Sequence, residues 1–417
     1  VRTRGRQGRV ATELEEIRID TADLAIGMFV CRLDRPWEGT PFPLQGVEVR
    51  TKADIRALRE QCSFVYIDRR REVVGGQRLL LTLPRSGQWA TRELRSTLYG
   101  YESDFEDELP RAQAALEATS KLLDCIYADI ASGRELSVAY VEQVVRPLVA
   151  SVLRSADAFL FLEGMRRHDN YTYSHAISCG ALAAAFGRHL GLPEGTIVSL
   201  ATGGLLMDVG KTRVPEALLR STGPLQPTDI TIVRTHVPHG LDIAQTGGVT
   251  DPDVLDVLRT HHERQDGSGY PDRLAGNAIP MAGRMLAIID SYDAMSSIRP
   301  YRAPLSRHEA LQEIYRARDT LYQTELVEQF LVCLGVYPTG SRVQLSTGEV
   351  AVVLEQNHVR RLRPTVLVIS SPDKQPLPDF RVFDLLNQTT DGHTVEIARA
   401  LPVDAYAIDT SGFLVST

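Results

Sequence analysis

His261-His262-Glu263-Arg264-Gln265-Asp266-Gly267-Ser268-Gly269-Tyr270-Pro271 is the stretch whose reading decides the fold. It closes a helical pattern that opens at Asp251-Pro252, an N-cap residue followed by proline at the first helical position. Val254, Leu255 and Leu258 give that helix its apolar stripe. Neighbouring side chains on a helix point about 100° apart. His261 and His262 therefore reach one site only at a helix end, or by bridging two metal ions. Gly267, Gly269 and Pro271 then enforce a tight, exposed loop.

Further chemistry lies on either side. Upstream, Leu205-Leu206-Met207-Asp208-Val209-Gly210-Lys211 sets Asp208 and Lys211 three residues apart, on one helical face. Downstream, Asp290 ends the apolar stretch Met285 to Ile289, and Asp293 follows one turn later. A carboxylate at the end of an apolar helix face points to a ligand reaching into a buried site. Each of these residues alone reads as an ordinary surface carboxylate or core histidine; their co-occurrence points to a site.

The chain has 417 residues, enough for two or three domains. From Ile19 to Asp68, short apolar runs alternate with turn residues and read as strands, with one helix from Thr51, its N-cap, to Cys62. Ile55 and Leu58 are expected to face inward. Trp89 to Arg134 is polar and helical in pattern. Its acidic run, Glu102 to Glu108, reads as a solvated linker, with Pro110 at or near a helix start. From Val138 to Leu334 the pattern is almost all helix; Gly191 and Pro193 stop the helix that holds Ala181 to Leu190. After Tyr337-Pro338-Thr339-Gly340, Ser346-Thr347-Gly348-Glu349 forms a hairpin turn between apolar runs, and Thr365 to Ile369 is a further β run. The expected fold is mainly α. It comprises an N-terminal α+β domain with a helical linker (1–135), a helical core (138–336) and a small β-rich C-terminal extension (337–417).

Composition narrows the function. With 46 Lys and Arg against 53 Asp and Glu, the net charge is −7, which argues against a nucleic-acid binder. No apolar run approaches the ~18 residues of a membrane span. Val1 to Arg9 holds four arginines and no apolar core, so no signal peptide is expected there. The five cysteines are widely spaced without a C-x-x-C pair. They read as reduced thiols of a cytoplasmic protein.

Taken together, His261-His262-Glu263 and Asp266-Gly267-Ser268-Gly269-Tyr270-Pro271 resemble the signature of the HD-GYP family. These are the all-helical HD-superfamily phosphodiesterases that hydrolyse cyclic di-GMP in bacteria. The resemblance spans roughly 160–330. It takes in Tyr171-Thr172-Tyr173-Ser174-His175, Gly204-Leu205-Leu206, Asp208-Val209-Gly210-Lys211, His236 with Gly240, and Asp290 followed by Arg299-Pro300-Tyr301-Arg302. The region before Val138 resembles, more diffusely, a poorly characterised domain that often precedes HD-GYP.

The resemblance implies metal ligands at His175, Asp208, His236, His261, His262 and Asp290, with Asp208 and Lys211 in catalysis. Arg299, Arg302, Gly269, Tyr270 and Pro271 would hold the dinucleotide. Mixed imidazole and carboxylate ligands suit Fe or Mn. The implied reaction is in-line attack of activated water on phosphorus, giving linear pGpG and/or GMP.

The family's dyad has His before Asp; here that position is Met207. A thioether is a poor ligand for Fe or Mn, so one metal is expected to be weakened. Tyr171 stands where some members carry a metal-supporting Glu, which sets two metals as the maximum. Alternative expectations are a cyclic di-GMP sensor, or a partner of diguanylate cyclases that docks through the GYP loop. The resemblance also allows a homodimer, and leaves cyclic di-GMP against cyclic GMP-AMP open.

Overall fold

The computed structural model describes residues 16–24, 28–34, 47–49, 51–68, 99, 102–165, 171–221, 223–298, 303–357, 360–390 and 393–408. Arg299, Arg302, and the arginine-rich start lie outside them. The chain divides into two compact units, 1–78 and 79–417.

In the first unit, β1 (Glu16–Asp20), β2 (Phe29–Leu33), β3 (Val47–Glu48) and β4 (Phe64–Asp68) form an antiparallel sheet in the order β1-β4-β2-β3. Ile17 pairs with Ile67 and Ile19 with Val65. Helix α1 (Lys52–Gln61) starts in a capping box, Thr51 with Asp54. Leu58 is buried with Val30, Leu33, Val65 and Ile67, whereas Ile55 is only partly covered.

The second unit is a helical body with a sheet fused to it. Its helices are α2 (Phe105–Ala131), α3 (Val138–Arg154), α4 (Ala156–Met165), α5 (Tyr171–His189), α6 (Glu194–Leu206), α7 (Glu216–Leu219) and α8 (Pro227–Arg234). They continue with α9 (His236–Thr246), α10 (Pro252–Thr260), α11 (Met281–Ser296), α12 (Arg307–Arg316) and α13 (Thr324–Leu334). α5 and α11 are buried on nearly every described face, as central helices must be when apolar all round. Asp251 caps α10 by accepting from the backbone N–H groups of Asp253 and Val254, with Pro252 at the first position.

The acidic run before Pro110 is not a linker. α2 begins at Phe105, so Pro110 lies in its second turn. Leu109, Ala112, Leu116 and Leu123 join the core shared with α3 and α5. Glu108 is fully buried: it accepts from Ser151 Oγ at 2.9 Å, and from Arg154 Nε at 2.8 Å and Nη2 at 2.6 Å. A partner 46 residues away, invisible to local pattern, makes an acid into a core residue.

The C-terminal strands β5 (Arg342–Leu345), β6 (Val350–Glu355), β7 (Thr365–Ser370), β8 (Pro376–Asp384) and β11 (Ile397–Leu401) form one antiparallel sheet, ordered β11-β5-β6-β7-β8. The two-residue strands β9 (Thr389–Thr390) and β10 (His393–Thr394) pair separately. Side chains alternate faces along a strand. Val350, Val352 and Leu354 enter the helical core, while Ala351 and Val353 enter a second cluster with Val343, Val366 and Val368. Both faces of β6 and β7 are covered, which is why their sequences read as unbroken apolar runs.

Candidate metal centre

The site is built where helices end. α6 stops at Leu206, and Met207 and Asp208 lead into a short 3-10 turn, Val209–Arg213. Gly210 lets that turn touch α9: a Cβ at this position would lie 1.9 Å from the His236 carbonyl oxygen and 2.4 Å from Gly240 N. Only glycine allows the approach that brings Asp208 beside His236. His261 is the C-cap of α10, so the adjacent histidines do sit at a helix end. α5 supplies His175, and α11 supplies Asp290.

These six side chains meet. Asp208 Oδ2 lies 3.6 Å from His175 Nε2, and Asp208 Oδ1 lies 3.6 Å from His236 Nε2. The Nε2 atoms of His236 and His261 are 3.5 Å apart. Asp290 spans to His175 Nε2 at 3.1 Å and to His262 Nδ1 at 3.5 Å. One ligand atom from each of Asp208, His236, His261 and His262 lies within 4.8 Å of all the others. His175 forms a second such group with Cys179 and Asp293.

The outer nitrogens fix which atoms face inward. His236 Nδ1 donates to Val233 O at 2.8 Å, and His261 Nδ1 to Val257 O at 3.0 Å. Each Nδ1 carries the proton, so two Nε2 lone pairs face each other across 3.5 Å. That is close to the ~3.4 Å between two nitrogens on one tetrahedral ion with 2.1 Å bonds. His175 poses a similar problem. Its Nδ1 donates to Asp293 Oδ2 at 2.6 Å, and Nε2 faces Asp290 at 3.1 Å. A neutral imidazole has one N–H and satisfies one carboxylate. A cation between Nε2 and Asp290 satisfies the other. The donor set fits a divalent metal.

Electrostatics agree. Burial opposes ionisation of Asp208, but Lys211, His236, His175 and His261 together outweigh it and hold the carboxyl well below the usual range. Burial also opposes ionisation of Asp290. The His175 hydrogen bond and the neighbouring imidazoles reverse that, again well below the usual range. Burial pulls His236 down to about 4 and lowers His261 and His262 as well. Neutral imidazoles and ionised carboxylates are the states that bind metal.

Lys211 Nζ donates to Asp208 Oδ2 at 2.6 Å. Lys211 and His262 keep 22% and 17% of their side chains exposed, so the cavity opens beside them. The loop after His262 forms one wall. Gly269 is required: a Cβ would sit 2.5 Å from Glu263 Cα and 2.6 Å from His262 O. Tyr270 stacks on His262, with centroids 4.6 Å apart and planes at 27°. Pro271, joined to Tyr270 by a cis peptide bond, is exposed. Glu263 is buried and accepts from Asp272 N at 2.7 Å and Leu274 N at 3.1 Å, tying the loop's return. Its neighbours are backbone amides, which makes Glu263 a loop anchor.

Met207 is 1% exposed and belongs to the apolar core. Asp293 and Cys179 join the site without a motif of their own to mark them in the sequence. Asp293 lies three residues after Asp290 and Cys179 four after His175, spacings that share a helical face. The Cys179 thiol is 3.7 Å from His175 Nδ1, and burial pushes it up to about 12.

Residues 156–326 match the HD domain family, and residues 16–141 match a domain of unknown function, DUF3391. Over 404 residues the chain is 32% identical to a cyclic di-GMP phosphodiesterase of Pseudomonas aeruginosa, covering 93% of each. The chain belongs to the HD-GYP family. Shorter similarities join this HD-GYP chain to a cyclic di-GMP phosphodiesterase of Thermotoga maritima and a 3'3'-cGAMP-specific phosphodiesterase of Vibrio cholerae. The first is 35% identical, over 39% of this chain and 45% of that one. The second is 33% identical, over 37% of this chain and 29% of that one. No described helix is long and apolar enough to cross a membrane.

Proposed function

We propose that this HD-GYP protein hydrolyses cyclic di-GMP to linear pGpG and/or GMP. The carrying observation is the convergence of His175, Asp208, His236, His261, His262 and Asp290 on one cavity, in a chain similar along nearly its whole length to a cyclic di-GMP phosphodiesterase. A divalent metal in that cavity, Fe or Mn and at most two ions, supplies the Lewis-acid charge that activates water and neutralises phosphate oxygens.

The protein's own groups do the rest. His236 and His261 present fixed Nε2 lone pairs. Asp208 faces both His175 and His236, and would serve as a ligand to metal bound beside either imidazole. Lys211, tied to Asp208 and about one-fifth exposed, places positive charge where the phosphoryl oxygens gather negative charge. Gly269, Tyr270 and Pro271 line the approach, and Arg299 and Arg302 hold the dinucleotide by their planar donors. The N-terminal region provides regulation, and the protein works in the cytoplasm.

One purified sample tests this, by metal analysis together with hydrolysis of cyclic di-GMP and of 3'3'-cGAMP. Turnover that depends on bound metal is expected, and metal-loaded protein without turnover would overturn it. Lys211→Ala should lower kcat about 100-fold while changing dinucleotide affinity much less; equal losses would reduce Lys211 to a binding contact.

A second reading is a cyclic di-GMP sensor, or a partner engaging diguanylate cyclases through the exposed loop, alone or as a homodimer. Buried, apolar Met207 in place of an imidazole is the observation that favours it. Tight dinucleotide binding without turnover, or loop-dependent capture of a purified diguanylate cyclase, is its signature.

A further inference from the structure

The mouth of the cavity holds a cation that the reaction above leaves unused. α8 buries none of its eight residues and ends two positions before His236. Its last residue, Arg234, is exposed. The Arg234 guanidinium carbon lies 4.6 Å from the centre of the Tyr270 ring. Tyr270 stacks on His262 at the same spacing. Two planar groups cannot share one face of a ring so closely, so His262, Tyr270 and Arg234 form a column leading outward from the cavity.

The other cations of the mouth are engaged. Lys211 is held by Asp208 at 2.6 Å. Arg264 donates to the carbonyls of His261 and Glu263. Arg234 has no hydrogen bond or ion pair among the described residues. The Tyr270 ring holds the guanidinium at the rim of the cavity, and its N–H groups are able to grip a phosphate through two parallel bonds. An anionic substrate entering past Asp208 and Asp290, in a chain of net charge −7, needs such a counter-charge at the threshold.

We propose that Arg234 is a substrate-binding residue that holds the phosphate of the cyclic dinucleotide that is not being cut. This rests on the phosphodiesterase reading. The two phosphates lie on opposite sides of the nucleotide ring. With one at Lys211 and the metal centre, the other is turned outward, toward the end of the column.

The test compares parent, Arg234→Ala and Arg234→Lys in the metal-loaded full chain. KM for cyclic di-GMP, kcat, and equilibrium affinity by calorimetry are measured between low and moderate salt. Arg234→Ala should raise KM and weaken affinity about tenfold or more, with kcat little changed and a shallower salt dependence. Arg234→Lys should recover the salt dependence but only part of the affinity.

Packing against Tyr270 alone predicts something different: the Arg234→Ala loss vanishes in a Tyr270→Leu background and the salt dependence is unchanged. That result overturns the proposal, as does an active parent whose affinity is indifferent to Arg234→Ala. A metal-loaded parent that neither binds nor cleaves cyclic di-GMP refutes the phosphodiesterase reading itself, and this inference with it.

Discussion

The two halves of the cavity are built unequally. One half holds three imidazoles, His236, His261 and His262, two of them oriented by backbone carbonyls at Val233 and Val257. The other holds a single imidazole, His175, with Asp290, Asp293 and the Cys179 thiol. Where the family's dyad has its histidine, just before Asp208, this chain has Met207, packed into the apolar core. Asp208 stands between them, 3.6 Å from an imidazole of each. The difference shows that a site can keep its preorganised second neighbours and still lack a donor. The His175–Asp293 bond is built although no imidazole immediately precedes Asp208. Metal should therefore bind unequally, tightly among the three imidazoles and weakly beside His175.

Removing the shared group is the harshest test of that asymmetry. Asp208→Ala should strip both halves and lower kcat/KM by at least about 100-fold; metal content that stays at the parent level would break the comparison. Restoring the missing imidazole comes next. Met207→His should raise metal stoichiometry toward two and turnover by about 10–100-fold. Methionine and histidine have similar volumes, and an ion that binds only the folded state offsets the desolvation of the ring. A variant that gains neither metal nor activity means that the cavity has rebuilt around the thioether. Asp293→Asn sharpens the comparison from the other side. It should weaken metal retained near His175 about tenfold while sparing the three-imidazole half. Equal loss from both halves would mean that the ions bind as one unit.

The smallest effect concerns a carboxylate without the site's cations. Burial, with Asp157 and Asp104 nearby, raises Glu355 to about 7, whereas Lys211 and the imidazoles lower Asp208. A raised carboxyl pKa means that the folded state holds the proton between the unfolded value and about 7. Stability then falls as pH rises through that window. Glu355→Gln should stabilise the protein by about 1 kcal/mol at pH 8, some 1–2 °C in Tm, and by almost nothing at pH 4. An equal gain at both pH values would locate the effect in packing.

Much of the site was legible because its spacing is local. His261 and His262 at a helix end, the loop glycines and the Asp208–Lys211 pair are all read within a few residues. The helix end and the ion pair lie as those spacings require, whereas the loop expected to be exposed packs inward, with Gly269 buried and only Pro271 of the Gly269-Tyr270-Pro271 run exposed. What escaped depends on distant partners. Asp293 acquires a role only when His175, 118 residues away, packs against α11. Glu108 looked like part of a solvated acidic run because Arg154 and Ser151 come from another helix. α2 falls inside the expected N-terminal region of 1–135, as it does inside the 16–141 domain match, yet its apolar face packs on α3 and α5 of the helical body. The terminal strands read correctly as β. Their burial on both faces became visible only once the helices lay beneath them.

The central claim is that this unequal cavity binds metal and uses it to cut a cyclic dinucleotide. Metal titration of the stripped protein, followed step by step with cyclic di-GMP hydrolysis, tests it most directly. The account predicts one tightly held ion per chain, a second that binds at least about tenfold more weakly, and turnover that rises with occupancy. Hydrolysis at full rate in stripped protein, or two ions bound with equal affinity, would contradict it.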